Sequence, residues 1–188
     1  MSKFPVHTKE TAPSDSLPAL NKAEKKFGRV PNLLGALAEA PIAAEAYLSL
    51  SELVNRSSFT PTERHVIWFT INAYHECRYC MAAHTAIANM EKIDPHVIES
   101  ARKVESYDDP RLEALRNFTL LLVENRGWAD GEDVEAFLGA GFSRQQVLEI
   151  VTFIAHKVMS NYSNHLVETP VDKAFESFAW QKPETVSS

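Results

Sequence analysis

Apolar residues recur at helical spacing along most of the chain. Between residues 18 and 180 they fall every three or four positions, which is typical of amphipathic helices. Only 6 glycines are present, so the chain has few of the tight turns that β-hairpins use. The pattern therefore predicts an all-α fold.

Capping residues, prolines and glycines mark where the predicted helices begin and end. Thr60 and Glu63 form a capping box before a buried-looking apolar run, and Ser143 and Gln146 form another. Helices are predicted over residues 19–27, from 31, over 41–56, 61–74, 77–90, 95–104 and 110–125, from the Asp130 cap to 139, and over 144–167.

The chain divides into one domain with two short ends. Its 188 residues, 45% hydrophobic and 23% charged, suit a single domain with its own core. Residues 1–17 are polar, contain Pro5 and Pro13, and are expected to form an arm that packs on a neighbour. A single helical domain is predicted over residues 18–180, followed by a C-terminal tail over residues 181–188.

Charge and hydropathy exclude several classes of protein. The net charge is -6 and no run of Lys and Arg stands clear of acidic residues, so nucleic acid is not an expected partner. The densest apolar stretches, 118–123 and 147–155, are much shorter than a membrane span. The first residues carry prolines and charges and have no apolar signal-peptide region. A cytoplasmic protein is expected.

The two cysteines, Cys77 and Cys80, stand three residues apart, and His84 follows four residues after Cys80. At this spacing all three side chains lie on nearly the same face of a helix. A helix N-terminus and a nearby imidazole both lower the pKa of a thiol. A second thiol can capture an oxidised first one as a disulfide. The pattern indicates a thiol peroxidase or a reversible redox sensor.

Other interpretations of the cysteine pair stay open. It could be an accident of core packing, or half of a zinc site whose further ligands come from His65, His75, His156 or His165. Closed zinc sites usually combine two paired-ligand clusters, and only one is visible.

The choice of nucleophile is also open at this point. Proximity to the helix N-terminus favours Cys77, whereas the imidazole of His84 favours Cys80. We follow the base, because a dedicated proton acceptor identifies a nucleophile more specifically than a dipole does.

The run T-P-T-E-R-H-V-I-W-F-T-I-N-A-Y-H-E-C-R-Y-C-M-A-A-H resembles the active-site region of the AhpD-like alkylhydroperoxidases in the carboxymuconolactone decarboxylase superfamily. The segments F-G-R-V-P-N-L-L-G-A-L-A-E-A-P and N-Y-S-N-H-L-V-E-T-P-V-D are similar to blocks of its peroxidase-related members. The resemblance spans about residues 20–175. It implies an all-α, AhpD-like helical domain.

The resemblance implies a role for each residue of the motif. Cys80 would be the peroxidatic thiol, Cys77 the resolving thiol and His84 the general base. The family's glutamate does not carry over, because His65 occupies the matching position. Glu63 lies two residues earlier, far around the helix axis at roughly 100° per residue. His65 is therefore predicted to relay the proton, since an imidazole exchanges protons near pH 7.

The resulting hypothesis is a thiol-dependent peroxidase that reduces alkyl hydroperoxides. The resemblance implies that it needs no cofactor, that a dithiol such as a lipoylated or thioredoxin-like protein reduces it, and that it assembles as a trimer or hexamer. Two alternatives remain: a carboxymuconolactone-decarboxylase-type lyase, against which the C-x-x-C pair argues, and a non-enzymatic redox sensor.

Polar residues elsewhere give weaker signals. Tyr79 could shape the pocket, although an aromatic core or interface position explains it as well. Asn161 and His165 are four residues apart on the last helix, near Asn164. They could reach the redox site across a helix pair, or could simply satisfy other buried polar groups. His75 precedes the cysteine helix and is expected to be exposed.

Overall fold

In the computed structural model, which describes residues 4–184, nine α-helices and two 3-10 helices account for the regular structure. The ends at residues 1–3 and 185–188, which belong to the expected arm and tail, lie outside the described residues. The α-helices are α1 Leu17–Phe27, α2 Asn32–Leu37, α3 Pro41–Asn55, α4 Pro61–Tyr74, α5 Arg78–Met90, α6 Pro95–Lys103, α7 Pro110–Glu124, α8 Gly131–Gly139 and α9 Arg144–Val167. The 3-10 helices are Ser14–Ser16 and Lys173–Phe178.

The capping residues act as the sequence predicts. Thr60 with Glu63 and Ser143 with Gln146 form reciprocal capping boxes at the starts of α4 and α9. The predicted starts at residues 31 and 77 are one residue early, because Pro31 and Cys77 have extended backbone and are the N-caps of α2 and α5.

Helix α4 is the centre of the domain. It packs against α5, α6, α7 and α9 and is buried on most of its circumference. The apolar residues of α4, α7 and α9 form the larger core cluster, together with Phe137, Phe142 and Trp180. A second cluster joins α1, α2 and α3 to the first turn of α5 and includes both cysteines. The cysteine pair thus lies where two core clusters meet.

Residues 4–16 pack on their own domain. The backbone N–H of His7 donates to the carbonyl of Gly35, and the hydroxyl of Ser16 donates to that of Ala38. A Cβ at position 35 would lie 2.6 Å from the carbonyl oxygen of His7. Glycine is therefore required there, because the backbone of α2 and the N-terminal segment come so close.

Candidate active site

A tight connection between α4 and α5 fixes the position of the cysteines. Helix α4 ends at Tyr74, and Glu76 adopts a left-handed conformation with φ 56°. The N–H of Cys77 then donates to the carbonyl of Asn72 at 3.0 Å. Cys77 caps α5, so Cys80 lies in the first turn, where the positive end of the helix dipole favours a thiolate.

Both thiols are free and buried, and α9 supplies their polar contacts. The amide nitrogen Nδ2 of Asn164 donates to Cys80 Sγ at 3.2 Å and lies 4.0 Å from Cys77 Sγ. The hydroxyl oxygen of Ser160 lies 3.8 Å from Cys80 Sγ. Asn164 and Ser160 together hold the Cys80 sulfur at the junction of α5 and α9.

The two thiols differ in acidity. Burial alone raises the pKa of Cys80, but its hydrogen bond with Cys77, the positive charge of Lys157 and the Ser160 hydroxyl outweigh burial and hold that pKa well below the ordinary cysteine value. The pKa of Cys77 is raised, first by the hydrogen bond to Cys80 and then by burial. The arrangement therefore favours Cys80 as the thiolate and Cys77 as its protonated partner.

Lys157 is the buried charge of the site and was not foreseen from the sequence. Its side chain is only 1% exposed, and its ammonium group lies 3.0 Å from Nε2 of His84. A lysine in an apolar helical run is usually taken for a surface residue. The available signal was its spacing, since Lys157, Ser160 and Asn164 recur every three or four residues on one face of a helix predicted to be buried.

His84 contacts Lys157 and does not hydrogen bond to Cys80 in the described part of the chain. Its pKa is held well below the ordinary histidine value by burial, then by Lys157, His65 and His156. The imidazole is therefore neutral, and its Nε2 accepts a hydrogen bond from the ammonium group of Lys157. The expected direct pairing of His84 with the thiol is replaced by a chain that passes through Lys157.

His65, which the sequence predicts as the relay, lies next to His84. It is fully buried on α4, and its ring centroid is 6.3 Å from that of His84. Its Nε2 lies 3.3 Å from Oε2 of Glu91, whose side chain is 38% exposed. Burial lowers the pKa of His65, and Glu91 opposes that shift. The carboxylate that the chain lacks at position 65 is thus brought near by Glu91 at the end of α5.

Glu63 has a structural role. Its Oε2 accepts the N–H of Thr60, and its Oε1 lies 2.8 Å from Nε of Arg111. The Arg111 guanidinium lies over the ring of Phe142, 3.8 Å from its centroid. These contacts hold Glu63 against α7 and the end of α8, on a different side of α4 from the thiols.

The weaker candidates separate into three groups. Asn161 bonds to His75 at 2.9 Å and to Asn72 at 3.0 Å, beside the cysteine turn. His75 is half-buried by that contact, so its expected exposure is wrong. His165 is exposed, and neither thiol bonds to it among the described residues, so of its two interpretations the one that reaches the redox site is not supported. Tyr79 donates to Asp172 at 2.5 Å and accepts the N–H of Leu33.

A cavity of about 1130 Å³ opens beside Cys80. Polar groups near the thiol that face it are His84, Lys157, His156 and Tyr47. It extends to exposed residues, including Phe27 and Met90, so it connects the buried thiol with the surface. Its walls are mainly apolar, with aromatic residues at Phe27, Tyr47, Trp68, Tyr79, Phe175 and Phe178.

Two other structural features are absent from residues 4–184. No group of three or more His, Cys, Asp or Glu side chains is arranged to hold a metal ion. None of the helices in that range has the length and apolar character needed to span a membrane.

Part of the chain matches the model of a known protein family. The family model described as the Carboxymuconolactone decarboxylase family matches residues 41–120, which include both cysteines, His65 and His84. No curated protein matches the chain.

Solved structures share the fold over nearly the whole chain. An uncharacterized peroxidase-related protein from Ralstonia eutropha JMP134, described as an alkylhydroperoxidase AhpD core, is 24% identical, with a TM-score of 0.81 over 93% of this chain and 94% of that chain. A peroxidase-related protein from Silicibacter sp. TM1040 is 20% identical, with a TM-score of 0.76 over 92% of each chain. The debrominase Bmp8 is 17% identical in its complex with 2,3,4-tribromopyrrole, with a TM-score of 0.75 over 93% of each chain. The predicted all-α, AhpD-like fold is confirmed.

Proposed function

Because a Carboxymuconolactone decarboxylase family model matches residues 41–120 and the fold is AhpD-like, we propose that this chain belongs to that superfamily and is a thiol-dependent peroxidase that reduces organic hydroperoxides through Cys80 and Cys77. One observation carries the proposal: a thiol whose pKa is held well below its ordinary value faces a cavity, with a second, protonated thiol in hydrogen-bond contact behind it. A thiolate is the form of cysteine that attacks peroxides.

In the first step, the Cys80 thiolate attacks the terminal oxygen of the hydroperoxide. The S–O bond forms as the O–O bond breaks, which gives a sulfenic acid on Cys80 and an alkoxide. The alkoxide takes a proton from Lys157 and leaves as the alcohol. Lys157 is suited to this step because it is buried, lines the cavity and places a positive charge that acts on Cys80.

In the second step, the Cys77 thiol attacks the sulfur of the sulfenic acid. The S–S bond forms, the S–O bond breaks, and the hydroxyl leaves as water with the proton of Cys77. An external dithiol then reduces the disulfide, and the proton returns to Lys157. The sum is hydroperoxide plus dithiol giving alcohol, water and the oxidised dithiol. No metal or organic cofactor takes part in this scheme.

We propose that protons reach Lys157 through the imidazoles. Glu91 is partly exposed and bonds to His65, the ring of His65 lies beside that of His84, and His84 bonds to Lys157. His84 therefore acts as base toward Lys157, and His65 as the relay between that base and the surface. Both imidazoles have pKa values below the ordinary value, so they accept and release protons without retaining them near pH 7.

The test of the proposed function is turnover. Wild-type protein with excess dithiothreitol should consume many equivalents of cumene hydroperoxide, whereas a sensor would consume one. Without the dithiol, one equivalent should give an intramolecular Cys77–Cys80 disulfide, seen as the loss of two hydrogens by mass spectrometry.

Single cysteine variants assign the two roles. Cys80→Ser should abolish both turnover and sulfenic acid trapping, whereas Cys77→Ser should keep the trapping and become prone to overoxidation. The reverse pattern would make Cys77 the nucleophile, and oxidation without turnover would leave only the sensor.

A second candidate function is reductive dehalogenation. Bmp8, which shares the fold, is a debrominase in complex with 2,3,4-tribromopyrrole, and the aromatic walls of the cavity beside Cys80 favour a ligand of that shape. Cys80 would take bromine from carbon, the ring carbon would take a proton, and Cys77 would displace bromide as the disulfide forms. Bromide release from tribromopyrrole under the same dithiol conditions separates this activity from peroxide reduction.

We also propose that the chain forms a homo-oligomer, a trimer or hexamer, and works in the cytoplasm, where a lipoylated or thioredoxin-like protein can reduce it. An exposed apolar stripe along α9 supports an assembly. Its members recur at helical spacing at Leu148, Val151, Tyr162 and Leu166, and each is at least half exposed. Light scattering after gel filtration should show a multimer that Leu148→Glu with Leu166→Glu dissociates.

A further inference from the structure

His156 is a buried imidazole without a hydrogen-bond partner. It is 3% exposed, and neither of its ring nitrogens has a partner among the described residues. Burial and the charge of Lys157 hold its pKa well below the ordinary value, so the ring is neutral and carries one donor and one acceptor. Leaving both unpaired is unfavourable in a folded protein. Such a group is expected where a ligand completes its bonds.

Tyr47 lies against His156 and adds a second polar group to the same part of the cavity wall. The two rings stack with centroids 4.9 Å apart and an interplanar angle of 25°. The charges of Cys80 and Cys77, after burial, raise the pKa of Tyr47, which shows that the phenol is close to the thiols and stays protonated. Its hydroxyl has no hydrogen bond in the described part of the chain, and Tyr47, His156 and Cys80 all line the 1130 Å³ cavity.

The rest of the cavity has a different character. Phe27, Trp68, Tyr79 and Phe175 contribute aromatic surface, and the space is far larger than a molecule of hydrogen peroxide requires. Aromatic walls favour flat aromatic ligands through offset and edge-to-face contacts. A ligand that fills this space needs a ring and one neutral polar group near Cys80.

We propose that His156 and Tyr47 form a subsite that binds the oxygen next to carbon in an aryl-substituted alkyl hydroperoxide, while the aromatic walls bind its ring. This inference rests on the proposed peroxidase function. In a hydroperoxide the oxygen next to carbon carries lone pairs and no proton, so it accepts from the N–H of a neutral imidazole and the O–H of a phenol, and in the product alcohol it can also donate. Bound there, the leaving oxygen lies beside Lys157, which supplies its proton, and the terminal oxygen faces Cys80.

Binding of the product alcohol tests the subsite without turnover. Calorimetry on reduced wild-type protein should show binding of 2-phenylpropan-2-ol. The aliphatic tertiary alcohol with the same carbon count, 2-methyloctan-2-ol, should bind several-fold more weakly. His156→Phe keeps the stack on Tyr47 and removes both ring nitrogens, so it should weaken binding of the aryl alcohol about tenfold. Tyr47→Phe should weaken it by a similar factor, and His165→Phe, an exposed position on the same helix, is the matched control.

Kinetics provide an independent reading. In His156→Phe the KM for cumene hydroperoxide should rise about tenfold, whereas in the exposed control His165→Phe it should stay within twofold of the wild type. The fold is checked by the thermal midpoint, which should not fall, because the variant removes unpaired polar atoms from the interior.

The outcomes separate the two proposals. Alcohol affinity and KM unchanged in both His156→Phe and Tyr47→Phe would overturn the subsite and leave the peroxidase intact. Alcohol binding that depends on His156 in a protein without peroxide turnover would keep the subsite and overturn the peroxidase. Equal binding of the two alcohols would overturn the aromatic preference.

Discussion

The two sides of the Cys80 sulfur are built differently. On the side of α9, Asn164 and Ser160 lie against the sulfur, and Cys77 completes its contacts. On the cavity side, Nδ1 of His84 and both nitrogens of His156 have no partner among the described residues. On the first side the polar groups already contact the sulfur, although the amide oxygen of Asn164 lacks a partner, whereas the second side leaves most of its hydrogen-bonding capacity open.

This difference separates two tasks. Groups that stabilise the thiolate must be in place before the substrate arrives, and fixed dipoles do this without reorganisation. Groups that transfer protons or bind the substrate must be free to form new bonds. Lys157 belongs to both sides, because it stabilises the charge of Cys80 and also bonds to His84.

Removal of Lys157 should have the largest effect on the rate, because Lys157 acts on both sides of the Cys80 sulfur. Without its positive charge, burial dominates and the pKa of Cys80 rises, so Lys157→Met should lower peroxide reduction at pH 7 by about 10²- to 10³-fold. Because the thiolate fraction then grows with pH, part of the rate should return in alkaline buffer. Ultraviolet titration of thiolate absorbance checks the shift, in a Cys77→Ser background to isolate Cys80.

Lys103→Met is the matched control for Lys157, since Lys103 pairs with Glu99 on the surface. A pH profile of Lys157→Met parallel to that of the wild type would show that the charge of Lys157 does not lower the pKa of Cys80.

Substitution of His65 should have the next largest effect on turnover. His65→Ala should slow turnover about 10²-fold, as expected for a participant in proton transfer, and His65→Glu should keep turnover with a profile displaced toward acid, because a carboxylate titrates at lower pH. The measurement is the rate per folded molecule across pH. If His65 only fills the core, alanine would lower the thermal midpoint and leave this rate unchanged.

Asn164 should have a smaller effect. Asn164→Ala removes the amide that donates to Cys80 at 3.2 Å, so the pKa of Cys80 should rise modestly and the rate at pH 7 should fall about tenfold. Asn32→Ala is the contrast, because the amide of Asn32 donates to the carbonyl of Pro170 at 3.0 Å. It should mainly lower stability. Equal loss of rate in the two variants would mean that the Asn164 amide acts through helix packing and not through its bond to the Cys80 sulfur.

The helices were largely predictable from the sequence because their signals are local. The Thr60–Glu63 and Ser143–Gln146 boxes depend on residues three apart, so the chain alone specifies them. The cysteine motif was likewise local and placed Cys77 and Cys80 at the start of α5.

The contacts between different helices were not predictable in this way. Lys157 meets His84 from 73 residues away, and Glu91 meets His65 from 26. Helical spacing shows which residues share a face, but it does not show which face of another helix they meet. Spacing alone therefore suggested a bond from His84 to Cys80, where the packing of α9 places Lys157 beside the imidazole.

Substitution of Glu63 should have the smallest effect on the rate, and it tests whether Glu63 or His65 is the proton relay. Glu63 lies two residues before His65 on α4, yet it bonds to Thr60 and Arg111 on another side of the helix. Glu63→Gln should lower the free energy of unfolding by about 1–3 kcal/mol, because it weakens a cap and leaves Arg111 without its ion pair. Urea unfolding measures that loss, and the peroxide reduction rate per folded molecule should stay within twofold of the wild type. Arg111→Met should reproduce both results, since it breaks the same pair from the other partner. A Glu63→Gln variant of unchanged stability and strongly reduced rate would instead make Glu63 the relay and return His65 to the core.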